Sequence, residues 1–265
     1  MIIITLTKNS SSTIKDTIKS LKIQKFKNFQ WIIFDERSKD STVKIIKKSN
    51  LPSKIFYTNS GSIYGAYNTA IKLIKKKNIN SIIFFLNSDD ILSDKYVLSN
   101  VNNIFIKHKP DILYGNIKYF KKNQKRHFRK WNAIFEEKQI KINSFLFLLK
   151  KFYKKDFIKG WMFPHTSLFF HTKILNNLPL YDTRYKISAD YLWSLKLLLK
   201  KNLKIFFWNR NITNMRYGGV STNFFNMLNI FIEDWSILYK FYNGSLIKTT
   251  LSIFFKKLNK VRQFL

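Results

Sequence analysis

Four short apolar runs punctuate the first third of the chain, at residues 2–7, 29–34, 54–57 and 82–86. They lack the strict polar alternation of a half-exposed strand, which predicts strands buried on both faces of a mostly parallel sheet. Stretches of helical period separate them. Residues 13–25 place Ile14, Ile18 and Leu21 on one face behind the capping residues Ser10 to Ser12. Asp40 can cap a short helix through residue 49, and a turn flanked by Gly61 and Gly65 leads into a helix to about residue 77. This β-α alternation predicts an α/β fold: a Rossmann-like, mostly parallel central sheet flanked by helices.

The second half is less regular. A helix over 95–107, a strand at 112–114, a strand over 163–171, a helix over 189–201 entered through Asp190 and a strand at 204–208 are expected. Residues 121–159 carry thirteen Lys or Arg against Glu136, Glu137 and Asp156, with an apolar segment at 143–149. Two C-terminal helices, about 224–242 and 245–265, part near Asn243-Gly244. In the last, Ile247, Leu251, Phe254, Leu258, Val261 and Leu265 form an apolar seam. The expected organisation is one domain over 1–220, divided at 116/117, and a helical extension over 221–265.

The run at 82–86 stops on Asn87-Ser88-Asp89-Asp90. Two adjacent carboxylates at the carboxyl end of a buried strand are costly unless a cation sits on them. That edge is where open α/β sheets bind ligands. A divalent metal carrying a phosphorylated ligand is one reading; a solvated turn, with Asp90 or Asp94 capping the next helix, is the other. The earlier strand ends on Asp35-Glu36, on the same edge if the strands are parallel.

Hydrophobic content of 45% supports a sizeable core, and the absence of cysteine removes disulfides and thiolate metal sites. The four histidines, at 108, 127, 165 and 171, lack zinc-ligand spacing. The first residues do not read as a signal peptide, and no apolar run reaches the roughly 18 residues of a spanning helix. A net charge of +33 suggests a polyanion partner, yet only seven of the 48 basic residues are Arg. Dispersed lysine argues against specific nucleic-acid recognition and leaves adhesion to anionic membranes as an expectation.

Seven segments in order resemble the family 2 glycosyltransferases of the GT-A fold, especially bacterial enzymes that build surface polysaccharides. Ile4-Thr5-Leu6-Thr7-Lys8-Asn9-Ser10 is similar to the family's first strand and loop, and Ser20 to Gln24 resembles its S-I/V-x-x-Q helix end. Asp35 to Thr42 resembles D-G-G-S-T-D-G-T, and Ile63 to Asn68 resembles I-Y-D-A-M-N. Leu86-Asn87-Ser88-Asp89-Asp90 is similar to L-N-S-D-D, the metal-binding D-x-D element. Pro164-His165 with Phe169-Phe170 resembles P-H-Q-x-x-F-F, and Tyr181 to Tyr191 is close to F-D-x-x-Y-x-I-A-A-D-Y-D. Glu36, Arg37, Lys39, Ser60 and Gly65 depart from the pattern at positions expected near the donor.

The resemblance implies a metal-assisted, inverting glycosyltransferase acting on a nucleotide-diphosphate sugar and a lipid-linked or surface-glycan acceptor. It implies a nucleotide-sugar half over 1–116 and an acceptor half over 117–220. Thr7, Asp35, Glu36, Tyr64, Asn68, Asn87 and Asp89 would face the donor, and Asp89 and Asp90 would hold Mg²⁺ or Mn²⁺. Asp190 would be the general base; on local sequence alone it reads as a helix-capping carboxylate. His165 would position acceptor or phosphate, though a lone His after Pro164 also suits a structural role, as Tyr64 suits helix packing. The expected location is cytoplasmic, peripheral on the inner face of the membrane. A polyanion-binding protein and a GT-A nucleotidyltransferase are the alternatives. Against the nucleotidyltransferase, Thr7-Lys8-Asn9-Ser10 lacks the Gly-rich signature that family carries after the first strand.

Overall fold

A computed structural model describes residues 1–77, 79–121, 127–133, 140–142, 145–148, 154–200, 203–219 and 224–263. The first half follows the hydrophobic pattern closely. Strand β1 (Ile2–Thr7), helix α1 (Ile14–Lys22), β2 (Gln30–Asp35), α2 (Thr42–Lys47), β3 (Ser53–Tyr57), α3 (Ile63–Lys76) and β4 (Ile82–Phe85) succeed one another, and these four strands run parallel. All of β1 and β4 is buried. Ile2, Ile4 and Leu6 face one core with α3, while Ile3 faces the other with α1, as the two-residue period of a strand dictates.

After a short β5 (Ile91–Leu92) and α4 (Val97–His108) come β6 (Ile112–Phe120), β7 (His127–Trp131), β8 (Ile140–Ile142), β9 (Phe145–Leu148), β10 (Phe169–His171), α5 (Ala189–Leu198) and β11 (Ile205–Arg216). The sheet order is β3-β2-β1-β4-β10-β6-β11-β9-β8, with β5 on β11 and β7 on β6. Strand β10 enters antiparallel between β4 and β6, where Phe84 and Phe169 stack at 4.1 Å between ring centroids. The 116/117 division falls inside β6, and β6 pairs with β11 along nearly its whole length.

Several expectations need correction. Residues 163–171 are not one strand. Pro164 offers a carbonyl that takes the Ser167 N–H at 3.1 Å, so the chain turns through His165–Ser167 before β10 begins. Gly65 lies inside the first turn of α3, where Ser62 Oγ accepts its N–H, rather than in the preceding turn. Strands β6 and β11 run past 114 and 208; β11 crosses the polar Asn209-Arg210-Asn211 through register shifts, which hid its continuation. Of the expected basic region, 122–126, 134–139 and 149–153 lie outside the described residues, as do 143–144, 149, 201 and 264–265 of the expected elements.

Helices α6 (Met227–Phe241) and α7 (Leu246–Val261) are split where expected, at Asn243 and Gly244, both with positive φ. Helix α7 buries Thr249, Ser252 and Ile253. Its seam faces outward: Ile247 is 75% exposed and Phe254 59%. Gly160, at φ +67°, passes so close to α7 that a Cβ there would lie 2.2 Å from the Lys256 backbone nitrogen. Among the described residues no helix is long and apolar enough to cross a membrane.

Candidate active site

Strands β1, β2 and β4 end on one edge, and their loops are laced together there. Ser10 Oγ lies 2.8 Å from Ser88 Oγ, and the Ser10 N–H donates to Thr42 Oγ1 at 2.7 Å. Thr7 is buried with its hydroxyl unpartnered among the described residues. Asp35 is fully buried and accepts from Ser38 N at 2.8 Å and Ser38 Oγ at 2.6 Å. Glu36 accepts from Thr58 Oγ1 at 2.6 Å, from Ser60 N at 2.9 Å and from Ser60 Oγ. Burial opposes its ionisation, but these donors outweigh it and hold the carboxyl below its ordinary value. Asp40 ties two loops by accepting from Ser11 N and Thr42 N.

The acidic turn after β4 is pinned from several sides. The Thr17 hydroxyl donates to Asp90 O at 2.8 Å, and Asp90 Oδ1 accepts the Arg216 N–H at 3.1 Å. Asn87, held by the Tyr67 hydroxyl at 2.7 Å, reaches Asp90 Oδ2 at 3.4 Å. Burial pushes both Asp89 and Asp90 above the usual carboxylate range, and the Asp89 charge pushes Asp90 further. The Arg216 cation acts against this, with its guanidinium on Asp16 at 2.6 Å and over the Phe120 ring. Among the described residues no group of three or more His, Asp or Glu forms a cage. Two hard carboxylate donors in a buried turn are a donor set that fits a hard divalent cation such as Mg²⁺ or Mn²⁺. Asp89 and Asp90 would hold that ion.

A cluster of rings joins this turn to Asp190. Tyr67 packs on Tyr64, Tyr181 and His165 with centroids 6.4, 5.2 and 5.2 Å away. The Tyr64 hydroxyl touches Ile187 O and lies 3.3 Å from Asp190 Oδ1. Asp190 Oδ1 also accepts its neighbour Tyr191 N–H at 2.8 Å. Burial raises the Asp190 carboxyl to about 6, while Lys256 on α7 pulls the other way. The Asn68 amide exchanges two hydrogen bonds with the Tyr181 backbone at 2.8 and 2.9 Å. His165 is buried against the Tyr181 hydroxyl at 2.5 Å, and burial lowers its pKa to about 4, so it is neutral near pH 7.

The structure thus brings Tyr64, Asn87, Asp89, Asp90, His165 and Asp190 into one connected region, and Thr7, Asp35 and Glu36 onto the adjoining strand ends. Sequence reasoning missed four contributors. Glu233 of α6 accepts from three successive backbone N–H groups, Lys186, Ile187 and Ser188, at 2.8, 3.0 and 2.8 Å, and so fixes the loop that delivers Asp190. Arg216 steadies the acidic turn. Lys256, paired with Asp234 at 2.8 Å, and Arg129 line a cavity of about 840 Å³ that Asp190 and His165 also line. An isolated Glu or Lys on a C-terminal helix gives no sequence signal of such roles.

Residues 2–176 match the model of the family described as Glycosyl transferase family 2. Solved structures with the same fold include S. aureus TarS 1–349, at 22% identity and TM-score 0.62, covering 89% of this chain and 63% of that one. TarS 1–349 in complex with UDP-GlcNAc aligns at 23% identity and TM-score 0.61, covering 92% and 71%. Against the longer S. aureus TarS structure the chain spans 43% of its length, at 22% identity and TM-score 0.60. No curated protein matches the sequence. Asp190 and helices α5 to α7 lie beyond the family-matched stretch.

Proposed function

Since the chain belongs to glycosyl transferase family 2, we propose that it moves a sugar from a nucleotide-diphosphate donor to a lipid-linked or surface-glycan hydroxyl with inversion. The carrying observation is the single ring cluster that ties the Asp89-Asp90 turn, through Asn87, Tyr67 and Tyr64, to the carboxylate of Asp190. This connection supports a reading in which donor and acceptor chemistry share one site. The TarS complex with UDP-GlcNAc supports a nucleotide-sugar donor.

In this reading the nucleotide lies across the ends of β1 and β2, where the buried Thr7 hydroxyl awaits a partner. Held by Asp89 and Asp90, a Mg²⁺ or Mn²⁺ would supply neutralisation of the diphosphate charge. Asp190 takes the proton of the acceptor hydroxyl while that oxygen forms its bond to the anomeric carbon. The carbon–oxygen bond to the diphosphate breaks with its electron pair, and the nucleoside diphosphate leaves. Direct displacement inverts the anomeric centre. A base near pKa 6 is ionised at neutral pH yet basic enough to accept this proton. Neutral His165 orients Tyr181 and the cavity wall rather than carrying charge.

The outward seam of α7 suits an anionic leaflet. Ile247, Leu251, Phe254 and Val261 are exposed in a helix with four Lys and no acidic residue. We read the enzyme as peripheral on the cytoplasmic face. Calorimetry with UDP and GDP, with and without Mn²⁺, tests the donor site. Expected are metal-dependent binding of one nucleotide and its loss in Asp89→Ala. Equal affinity without metal overturns the metal assignment; no nucleotide binding in either condition overturns the function.

A further inference from the structure

Helix α7 turns Thr249, Ser252 and Ile253 inward, and Lys256 continues that face by helical spacing. A lysine ordinarily keeps its ammonium in water. This one leaves only 20% of its side chain exposed. Its Nζ lies 2.8 Å from Asp234 Oδ2 and 3.3 Å from the centroid of the Tyr191 ring. Tyr191 is buried and directly follows Asp190 in the chain. Lys256, Asp234, Tyr191 and Asp190 all line the cavity of about 840 Å³. The backbone permits this approach. Gly160 lets α7 come close at Lys256 itself, where any Cβ would meet the helix nitrogen at 2.2 Å.

Asp234 depends on that ammonium. It is buried, and its Oδ1 has no hydrogen-bond partner among the described residues. Apolar residues of similar volume commonly serve stability as well as a buried ion pair does. What the pair supplies that they cannot is a fixed charge of each sign beside Asp190. The other groups that face Asp190 are neutral near pH 7 or engaged elsewhere. Burial raises Tyr64 and Tyr67 on α3, Tyr119 on β6, Tyr181 and Tyr191 above the ordinary tyrosine value. His165 is neutral, and Glu233 on α6 accepts from the Lys186–Ser188 backbone. The remaining cations of the cavity, on β7, on α7 and over 155–159, stay in place in every variant below. Among the charges, Lys256 acts most strongly on the Asp190 carboxyl and favours its ionised form, and Asp234 opposes this more weakly.

We propose that Lys256 is a positioning residue for the reaction: clamped by Asp234 and the Tyr191 ring, its ammonium holds the Asp190 carboxylate in its working charge state and makes α7 part of the active site. The assignment rests on the reading of Asp190 as the base and adds the group that keeps the base ready. Lys256 acts through Asp190 and through space, so the acceptor oxygen meets the carboxylate alone.

The test titrates the full chain by NMR with isotope-labelled aspartate, following the Asp190 carboxyl carbon, which is assigned by its loss in Asp190→Asn. Lys256→Met should move the midpoint up by about half a pH unit or more, Asp234→Asn should move it down, and Lys256→Arg should restore it. A purely structural ion pair predicts otherwise. Breaking it from either side loosens the same contact, so both single variants would shift the midpoint alike or not at all. Lys256→Met/Asp234→Asn also removes the carboxylate that Lys256→Met strands, and so reads the charge if the single variant fails to fold. Its midpoint should lie above that of Asp234→Asn. An unmoved midpoint in folded Lys256→Met, shifts of one sign in both single variants, or equal midpoints in the double variant and Asp234→Asn overturns the proposal. The transfer rate of Asp190→Asn tests the base separately. Loss of transfer there, with an unmoved midpoint in Lys256→Met, removes only this inference; an active Asp190→Asn enzyme removes the base reading on which it rests.

Discussion

Asp190→Asn separates catalysis from stability at a single atom. Burial raises this carboxyl from 3.8 to about 6, and each pKa unit corresponds to about 1.4 kcal/mol. The folded chain therefore holds the proton more tightly than the unfolded chain. Between about pH 4 and 6 the native state binds more protons, so stability falls as pH rises through that window and levels off above it. The ionised group thus costs on the order of 3 kcal/mol near neutral pH. Asn keeps an oxygen for the Tyr191 N–H and the Tyr64 hydroxyl but never ionises. The variant should melt above the wild type at about pH 7.5, with the gap closing toward about pH 4. Its transfer rate should fall roughly 10²–10⁴-fold while nucleotide affinity stays unchanged. The wild-type kcat/KM should lose activity below about pH 6. Melting curves across this pH range, with transfer rates and nucleotide titrations, check each part. An active Asp190→Asn enzyme places the base elsewhere, and a variant that melts lower near neutral pH refutes the electrostatic reasoning.

Glu233→Ala removes the acceptor of three backbone N–H groups; stability should drop by roughly 2–4 kcal/mol, and kcat should fall with nucleotide affinity retained, as steady-state rates and calorimetry will show. Gly160→Ala forces a Cβ against the Lys256 backbone at a positive φ. A lowered melting temperature and faster proteolysis of α7 are expected, and an unchanged protein would contradict that packing. Replacing Ile247 and Phe254 by Asp should abolish flotation with anionic liposomes at low salt while leaving turnover on a water-soluble acceptor intact; flotation that persists assigns the seam to another role.

The parallel half was legible because each strand is buried on both faces, so hydrophobicity alone marks it, and because Asp89-Asp90 terminates such a strand. The proposed base was legible only through the resemblance around Ile187 to Tyr191, since Asp190 by itself reads as a cap. The remainder depends on contacts between distant segments. Nothing local in Glu233 announces that its carboxylate will bind the Lys186–Ser188 backbone. Strand β7, rich in charge, forms because β6 offers an open ladder, and the Pro164 turn breaks an otherwise apolar strand pattern. The seam on α7 was visible as a periodicity, but its outward direction follows from Thr249 and Ser252 taking the buried face instead.

Strand β10 has a consequence for how the molecule can be divided. It seals the flank of β4, four consecutive apolar residues, with a partner that arrives far later in the sequence. A fragment ending near residue 116 would keep the loops after β1, β2 and β4 but present Ile82 to Phe85 as a bare ladder of backbone donors and acceptors. Such an edge templates intermolecular pairing. The β4–β10 pairing joins segments far apart in sequence, the kind of non-local contact that slows folding. The two halves are therefore not interchangeable modules. Swapping one for that of a relative succeeds only if β10 and its Phe169–Phe84 stack travel with the strand they protect.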